Sequence, residues 1–218
     1  MKSTQKGFMI PLVITIIILL GALGYYFAHN YKIGPGIPPS DFDWSKVSGE
    51  DKFLTISNGS TICYYNSKFF VITKDSDVIG KEFLIKKTTD SEKVPCDYTV
   101  ATGDFELKLQ ATYFLALEKD FLILDSGTAP DPRGLSIYNL NSNREVYLGR
   151  YSKPISIEKN TITFWSPTEK IKPTTENCPS LEEYTASGLS AGIESKVVLN
   201  LLDMTIKELG EYRCSARQ

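Results

Sequence analysis

Histidine is almost missing from this sequence. His29 is the only one in 218 residues, and it stands at the end of an apolar run. The rest of the chain therefore lacks the side chain that most often serves as a general base or metal ligand near neutral pH. A Ser-His-Asp or Cys-His relay and a histidine metal site are both excluded there. Hydrolysis would fall to carboxylates or lysine alone, so the expectation leans away from an enzyme, with no cofactor and no metal. The four cysteines, Cys63, Cys96, Cys178 and Cys214, form no C-x-x-C pair, which removes zinc-ribbon and thioredoxin-like readings. An excess of basic charge is also lacking. Without Lys2, Lys6 and Lys32 the 24 basic residues fall to 21 against 26 acidic, a formal charge of −5. Nucleic acid is not expected as a partner of such a surface.

Charge is absent altogether from Phe8 to Ala28 (FMIPLVITIIILLGALGYYFA). As a helix these residues span roughly 31 Å, against a hydrocarbon thickness of ~30 Å. A helix satisfies every backbone N–H and C=O within its own segment, which a bilayer interior demands. Pro11 falls in the first turn, where its missing N–H breaks no ladder bond. Tyr25, Tyr26 and Phe27 fall at the far end, where aromatic rings favour the interface. The sequence thus predicts a cytoplasmic N-terminus (1–7), a transmembrane anchor (8–28), a juxtamembrane Gly/Pro tether (29–44) and an extracytoplasmic domain (45–218). Lys2 and Lys6 before the span set that orientation. The alternative is a cleaved secretory signal, for which Ala22-Leu23-Gly24 is a small-x-small site, giving a secreted product.

Gln5-Lys6-Gly7-Phe8 followed by the apolar helix resembles the leader of type IV pilins and pseudopilins. That resemblance implies cleavage after Gly7 and a filament subunit. The family carries Glu at the fifth position after the junction, where this chain has Leu12.

An even cysteine count in an oxidising compartment suggests two disulfides. Four cysteines permit three pairings. Cys63–Cys96 with Cys178–Cys214 keeps each bond within one of the repeats described next, and free buried thiols are the alternative.

Beyond Trp44 the chain reads as short apolar or alternating runs broken by turn residues, the pattern of antiparallel strands. These runs are Thr61–Tyr65, Phe69–Thr73, Glu82–Lys86, Phe105–Leu109, Tyr113–Leu117, Phe121–Leu124, Leu135–Leu140, Glu145–Leu148, Ser156–Glu158, Thr161–Trp165 and Lys196–Leu202. One helix start is expected at Pro179–Glu183, with Ser180 and Glu183 spaced as a capping box. Phe69-Phe-Val-Ile-Thr, Phe121-Leu-Ile-Leu-Asp and Ile162-Thr-Phe-Trp-Ser each follow a strand and a polar turn and precede a hairpin-like stretch. A meander of this kind resembles a β-propeller blade. The expectation is a mainly β chain: one transmembrane helix, then an antiparallel all-β domain of about three propeller-blade-like meanders, with a β-sandwich as the alternative.

Phe121-Leu-Ile-Leu-Asp125-Ser126-Gly127-Thr128 resembles the aspartic-peptidase signature, an apolar strand ending in Asp-Thr/Ser-Gly. That resemblance implies Asp125 as the catalytic carboxylate, sharing a proton with a second copy. The chain has no second motif, so the implied enzyme is a homodimer. The alternative is a turn, with Asp125 bonding the backbone two residues on and Gly127 at positive φ. Asp125, Asp131 and Arg133 are also candidates for a polar binding loop, although their spacing matches no calcium loop; the alternative is a solvated loop with an Asp–Arg pair. Tyr64-Tyr65, Phe69-Phe70 and Phe164-Trp165 are adjacent aromatic pairs, so within a strand one member of each must face away from the other.

These readings converge on a membrane-anchored extracytoplasmic binding or structural module of the cell envelope. Its expected partners are the membrane, through residues 8–28, and an envelope protein. A dimeric aspartic-type peptidase and a pseudopilin-like subunit are the alternatives.

Overall fold

The computed structural model describes residues 54–88, 94–128 and 131–217. The anchor and leader (8–28), the tether (29–44) and the start of the domain (45–53) lie outside the described residues. Among the described residues no helix is long and apolar enough to cross a membrane.

The described chain is mainly β and entirely antiparallel. Strands β1 (Leu54–Asn58), β2 (Thr61–Tyr65), β3 (Phe69–Asp75), β4 (Lys81–Lys87) and β5 (Phe105–Lys108) form one sheet in sequence order. Strands β6 (Thr112–Glu118), β7 (Phe121–Ser126), β8 (Arg133–Asn139), β9 (Arg144–Glu158), β10 (Thr161–Thr168), β11 (Ser190–Asn200) and β12 (Ile206–Arg217) form a seven-stranded sheet, again in sequence order.

The seven-stranded sheet pivots on β9. Residues Arg144–Tyr151 pair with β8, and Ser152–Glu158 pair with β10. One strand thus closes the second meander and opens the third, as strands do at the corner of two packed sheets. The sequence suggested two short strands here, Glu145–Leu148 and Ser156–Glu158. They are one 15-residue strand. The local pattern misleads because the burial alternation breaks at Tyr151 and Ser152, where the strand changes neighbours.

Three apolar clusters lie between and beside these meanders. Phe69, Val71, Phe83 and Ile85 of the first sheet pack against Leu117, Leu122 and Leu124 of β6 and β7. On the opposite face of the second meander, Ile123, Leu135, Ile137 and Tyr151 meet Ile162, Phe164, Val197 and Leu199 of the third. Strands β3, β4 and β7 are consequently buried on both faces and read as continuous apolar runs. The outer face of the first sheet buries Cys63, Tyr65, Phe70, Ile72 and Leu84 under a strap made of Val94, Cys96 and Tyr98.

The aromatic pairs divide between faces. Tyr64 stacks on Phe114 across the first interface with centroids 3.5 Å apart, while Tyr65 stacks on Phe70 under the strap. Both members of each pair are therefore used in packing, Trp165 included, as described below.

Both disulfides form as expected: Cys63–Cys96 and Cys178–Cys214, with Cα separations of 5.9 and 5.1 Å. The first pins the strap to β2. The second pins the chain ahead of helix α1 (Leu181–Ala186) to β12. Two disulfides point to an oxidising compartment outside the cytoplasm.

The helix begins where the sequence placed it, but no capping box forms. Ser180 has φ −88° and ψ 12°, short of the extended backbone an N-cap needs, and its side chain makes no cap hydrogen bond. Strands β1 and β12 were not foreseen. β12 carries Lys207, Glu208, Glu211 and Arg213 with Gly210 at φ +77°, a charged, bulged edge strand without an alternating signal.

Candidate functional site

The apolar run Leu122–Leu124 is sealed between two cores, and this fixes β7 and carries Asp125 to its end. Asp125 is a strand residue, 7% exposed, paired across to Tyr113 and Leu135. Two positions before Leu135, Arg133 lies on the same face, within diagonal reach. Its Nε donates to Asp125 Oδ1 at 2.6 Å and its Nη2 to Oδ2 at 2.5 Å. Tyr151 of β9 donates its hydroxyl to Oδ1 at 3.0 Å. The Arg133 guanidinium also stands 5.9 Å from the centre of the Tyr113 ring.

This corrects the turn expected at Asp125. The turn begins only at Gly127, with φ +118° and its N–H donated to Ala111 O at 2.9 Å. Asp125 holds side chains rather than its own backbone because Arg133 supplies a fork that matches both carboxylate oxygens. The pair raises the Arg133 pKa through that hydrogen bond. Burial pushes the Tyr151 hydroxyl well above its ordinary value, and the negative charge of Asp125 adds to the shift.

Of the three expected loop residues, the structure joins Asp125 and Arg133 and leaves Asp131 apart from them. Asp131 Oδ2 accepts the backbone N–H of Lys153 at 2.8 Å.

A second ionic cluster grips the same stretch of β9 from the other face. Ser152 Oγ donates to Glu194 Oε1 at 2.5 Å, and Arg213 Nε donates to Glu194 Oε2 at 2.8 Å. Arg213 Nη2 also donates to Lys153 O at 2.7 Å, and its guanidinium stacks 4.6 Å from the Trp165 ring centre. Glu194 is completely buried. Residues 151–153, where β9 passes from β8 to β10, are thus fastened by a buried carboxylate–arginine pair on each side.

Sequence reasoning missed Glu194, Arg213, Ser152 and Trp165 as a group. Its one available signal was a charged residue inside the otherwise buried run Gly192–Ser195 of β11.

Among the described residues no group of three or more His, Cys, Asp or Glu side chains gathers as a metal site. No family model matches the chain, and no curated protein and no solved structure matches it.

Proposed function

We propose that the chain is a membrane-anchored, extracytoplasmic binding or structural module of the cell envelope rather than an enzyme. The observation that carries this reading is the state of Asp125. It is the one residue whose sequence context suggests catalysis, and it is buried with both oxygens engaged by Arg133 and Tyr151. A peptidase dyad needs a carboxylate open to water and facing a second carboxylate. Asp125 instead acts as the counter-ion of Arg133.

The three meanders are read as blade-like units in series, a rigid stack whose loops and edges serve an envelope protein partner. Residues 8–28 hold this stack at the membrane. The two disulfides support an outside location. Intact cells treated with an impermeant protease test it: the domain should be cleaved from outside while the N-terminus stays protected. A domain cleaved only after lysis refutes the placement. Proteolytic activity of the purified full chain that disappears in Asp125→Asn refutes the non-enzymatic reading.

A further inference from the structure

Asn58-Gly59 is the only Asn-Gly pair in the chain. It forms the corner of the β1–β2 hairpin, where Asn58 pairs across to Thr61. Asn58 is exposed, and Gly59 takes φ +62° with no atom within 4 Å of the place a Cβ would occupy. The glycine backbone nitrogen is therefore unshielded by a side chain and lies next to an exposed side-chain amide. The Asn58 Nδ2 is also engaged, donating to Cys96 O at 3.2 Å. Cys96 belongs to the strap over the core of Cys63, Tyr65, Phe70, Ile72 and Leu84.

We propose that Asn58 is a site of spontaneous deamidation and that its conversion loosens the strap. In the reaction the Gly59 backbone nitrogen loses its proton and attacks Asn58 Cγ. A C–N bond forms and ammonia leaves, giving a succinimide. Water then opens the ring to aspartate or isoaspartate, with no oxidant or further reactant. The product replaces an N–H donor by a carboxylate acceptor facing the Cys96 carbonyl oxygen. An attractive contact becomes a repulsive one, and isoaspartate also lengthens the backbone at a two-residue turn. The strap keeps its disulfide, the Lys86 Nζ bond to Thr99 O at 2.7 Å, and Lys74 stacked 4.3 Å from the Tyr98 ring centre. The effect is therefore a local opening around Cys96, with the sheet beneath it kept.

The test is incubation of the full chain in detergent at mildly alkaline pH, followed by peptide mapping and isoaspartate detection. Residue 58 should convert ahead of every other asparagine in the folded protein. Conversion should slow in Gly59→Ala, for which the hairpin has room at the cost of left-handed backbone strain, and vanish in Asn58→Gln. Conversion that requires unfolding, or that is no faster than at other asparagines, overturns the proposal. The coupling to the strap is read separately in Asn58→Asp. Its Cys63–Cys96 bond should be reduced faster than in the parent chain, with Cys178–Cys214 unchanged as the internal reference. Equal reduction of Cys63–Cys96 in the two proteins overturns the coupling.

Discussion

Removing Arg213 tests whether the turn of β9 from one meander to the next depends on its buried ion pairs. Glu194 has a fully buried side chain, while that of Arg213 is 31% exposed. Stripping the guanidinium leaves a carboxylate out of water with only the Ser152 hydroxyl to stabilise it. Breaking such a pair from one side costs about 3–5 kcal/mol. Because Arg213 sits near the surface, water can enter the space it vacates, which favours the lower end. Lost stacking on Trp165 adds about 0.5–1 kcal/mol. Arg213→Met is therefore expected to cost about 3.5–4 kcal/mol.

Glu194→Met removes the charge itself but leaves the Ser152 hydroxyl buried without its acceptor, at about 1–3 kcal/mol. The double variant has no unpaired charge and keeps that same hydroxyl cost, so it should be no worse than Glu194→Met alone. The two changes are then non-additive by about 3 kcal/mol or more, at the top of the range found for residues in one network. Urea unfolding of the oxidised full chain in detergent measures all four corners of the cycle, with an unchanged slope as the sign that the compared states are the same. In heat the single Arg213 variant should melt about 7–16 °C lower, at 2–4 °C per kcal/mol for a chain of this size. An Arg213→Met protein as stable as the parent, or a double variant whose cost is the sum of the singles, would show that β9 does not depend on the pair.

A tight glycine, a buried tyrosine and the second disulfide each carry a further expected outcome. Gly80 has φ +114°, and a Cβ there would lie 2.7 Å from the backbone nitrogen of Thr112, so Gly80→Ala should cost clearly more than the ~1 kcal/mol of backbone strain alone. Gly103→Ala, at φ +94° with nothing within 4 Å, is its control, and equal losses in urea would remove the close approach as the cause. Burial pushes the Tyr65 hydroxyl from 10.0 up to about 12. The folded state then holds this proton more tightly than the unfolded state, so its contribution is complete below pH 10.0 and is lost as pH rises through about 12. Unfolding measured across that window should show a falling limb that Tyr65→Phe flattens, and an unchanged limb contradicts the assignment. Replacing Cys178 and Cys214 together by alanine opens a loop closed across 36 residues and should cost about 4 kcal/mol in the chain-entropy view, read as a lower urea midpoint; a midpoint equal to the parent's would contradict it.

What the sequence made legible, and what it hid, follow the range over which each feature is determined. The strands read at Thr61–Tyr65, Phe69–Thr73 and Phe121–Leu124 were legible because a run of apolar β-formers between polar turns specifies its own state locally, and the structure extends the last two to Asp75 and Ser126. The disulfide pairing followed from the repeat, since each bond closes within one unit. Asp125 and Arg133 were both singled out and an Asp–Arg pair was expected, but as a solvated loop contact; that Asp125 rather than Asp131 is the partner, and that the pair is buried, depends on a register that brings residues eight apart to diagonal positions. Glu194 and Arg213 were further from reach. Their meeting requires the β11–β12 ladder, and β12 gives no strand signal because a solvent-facing edge is written in charges and a bulge. The corner at Tyr151 and Ser152 was the least visible feature, although both ionic clusters converge on it. A strand that serves two meanders has no single burial period, so the pattern that identifies ordinary strands fails where this architecture turns. Buried charge is well suited to such a place. Apolar contacts tolerate a range of angles between two sheets, whereas a forked arginine on a carboxylate tolerates few. The buried pairs on the two faces of β9 are thus better understood as setting the angle of the corner than as adding net stability, which is why the cycle on Glu194 and Arg213 should find the double variant close to Glu194→Met.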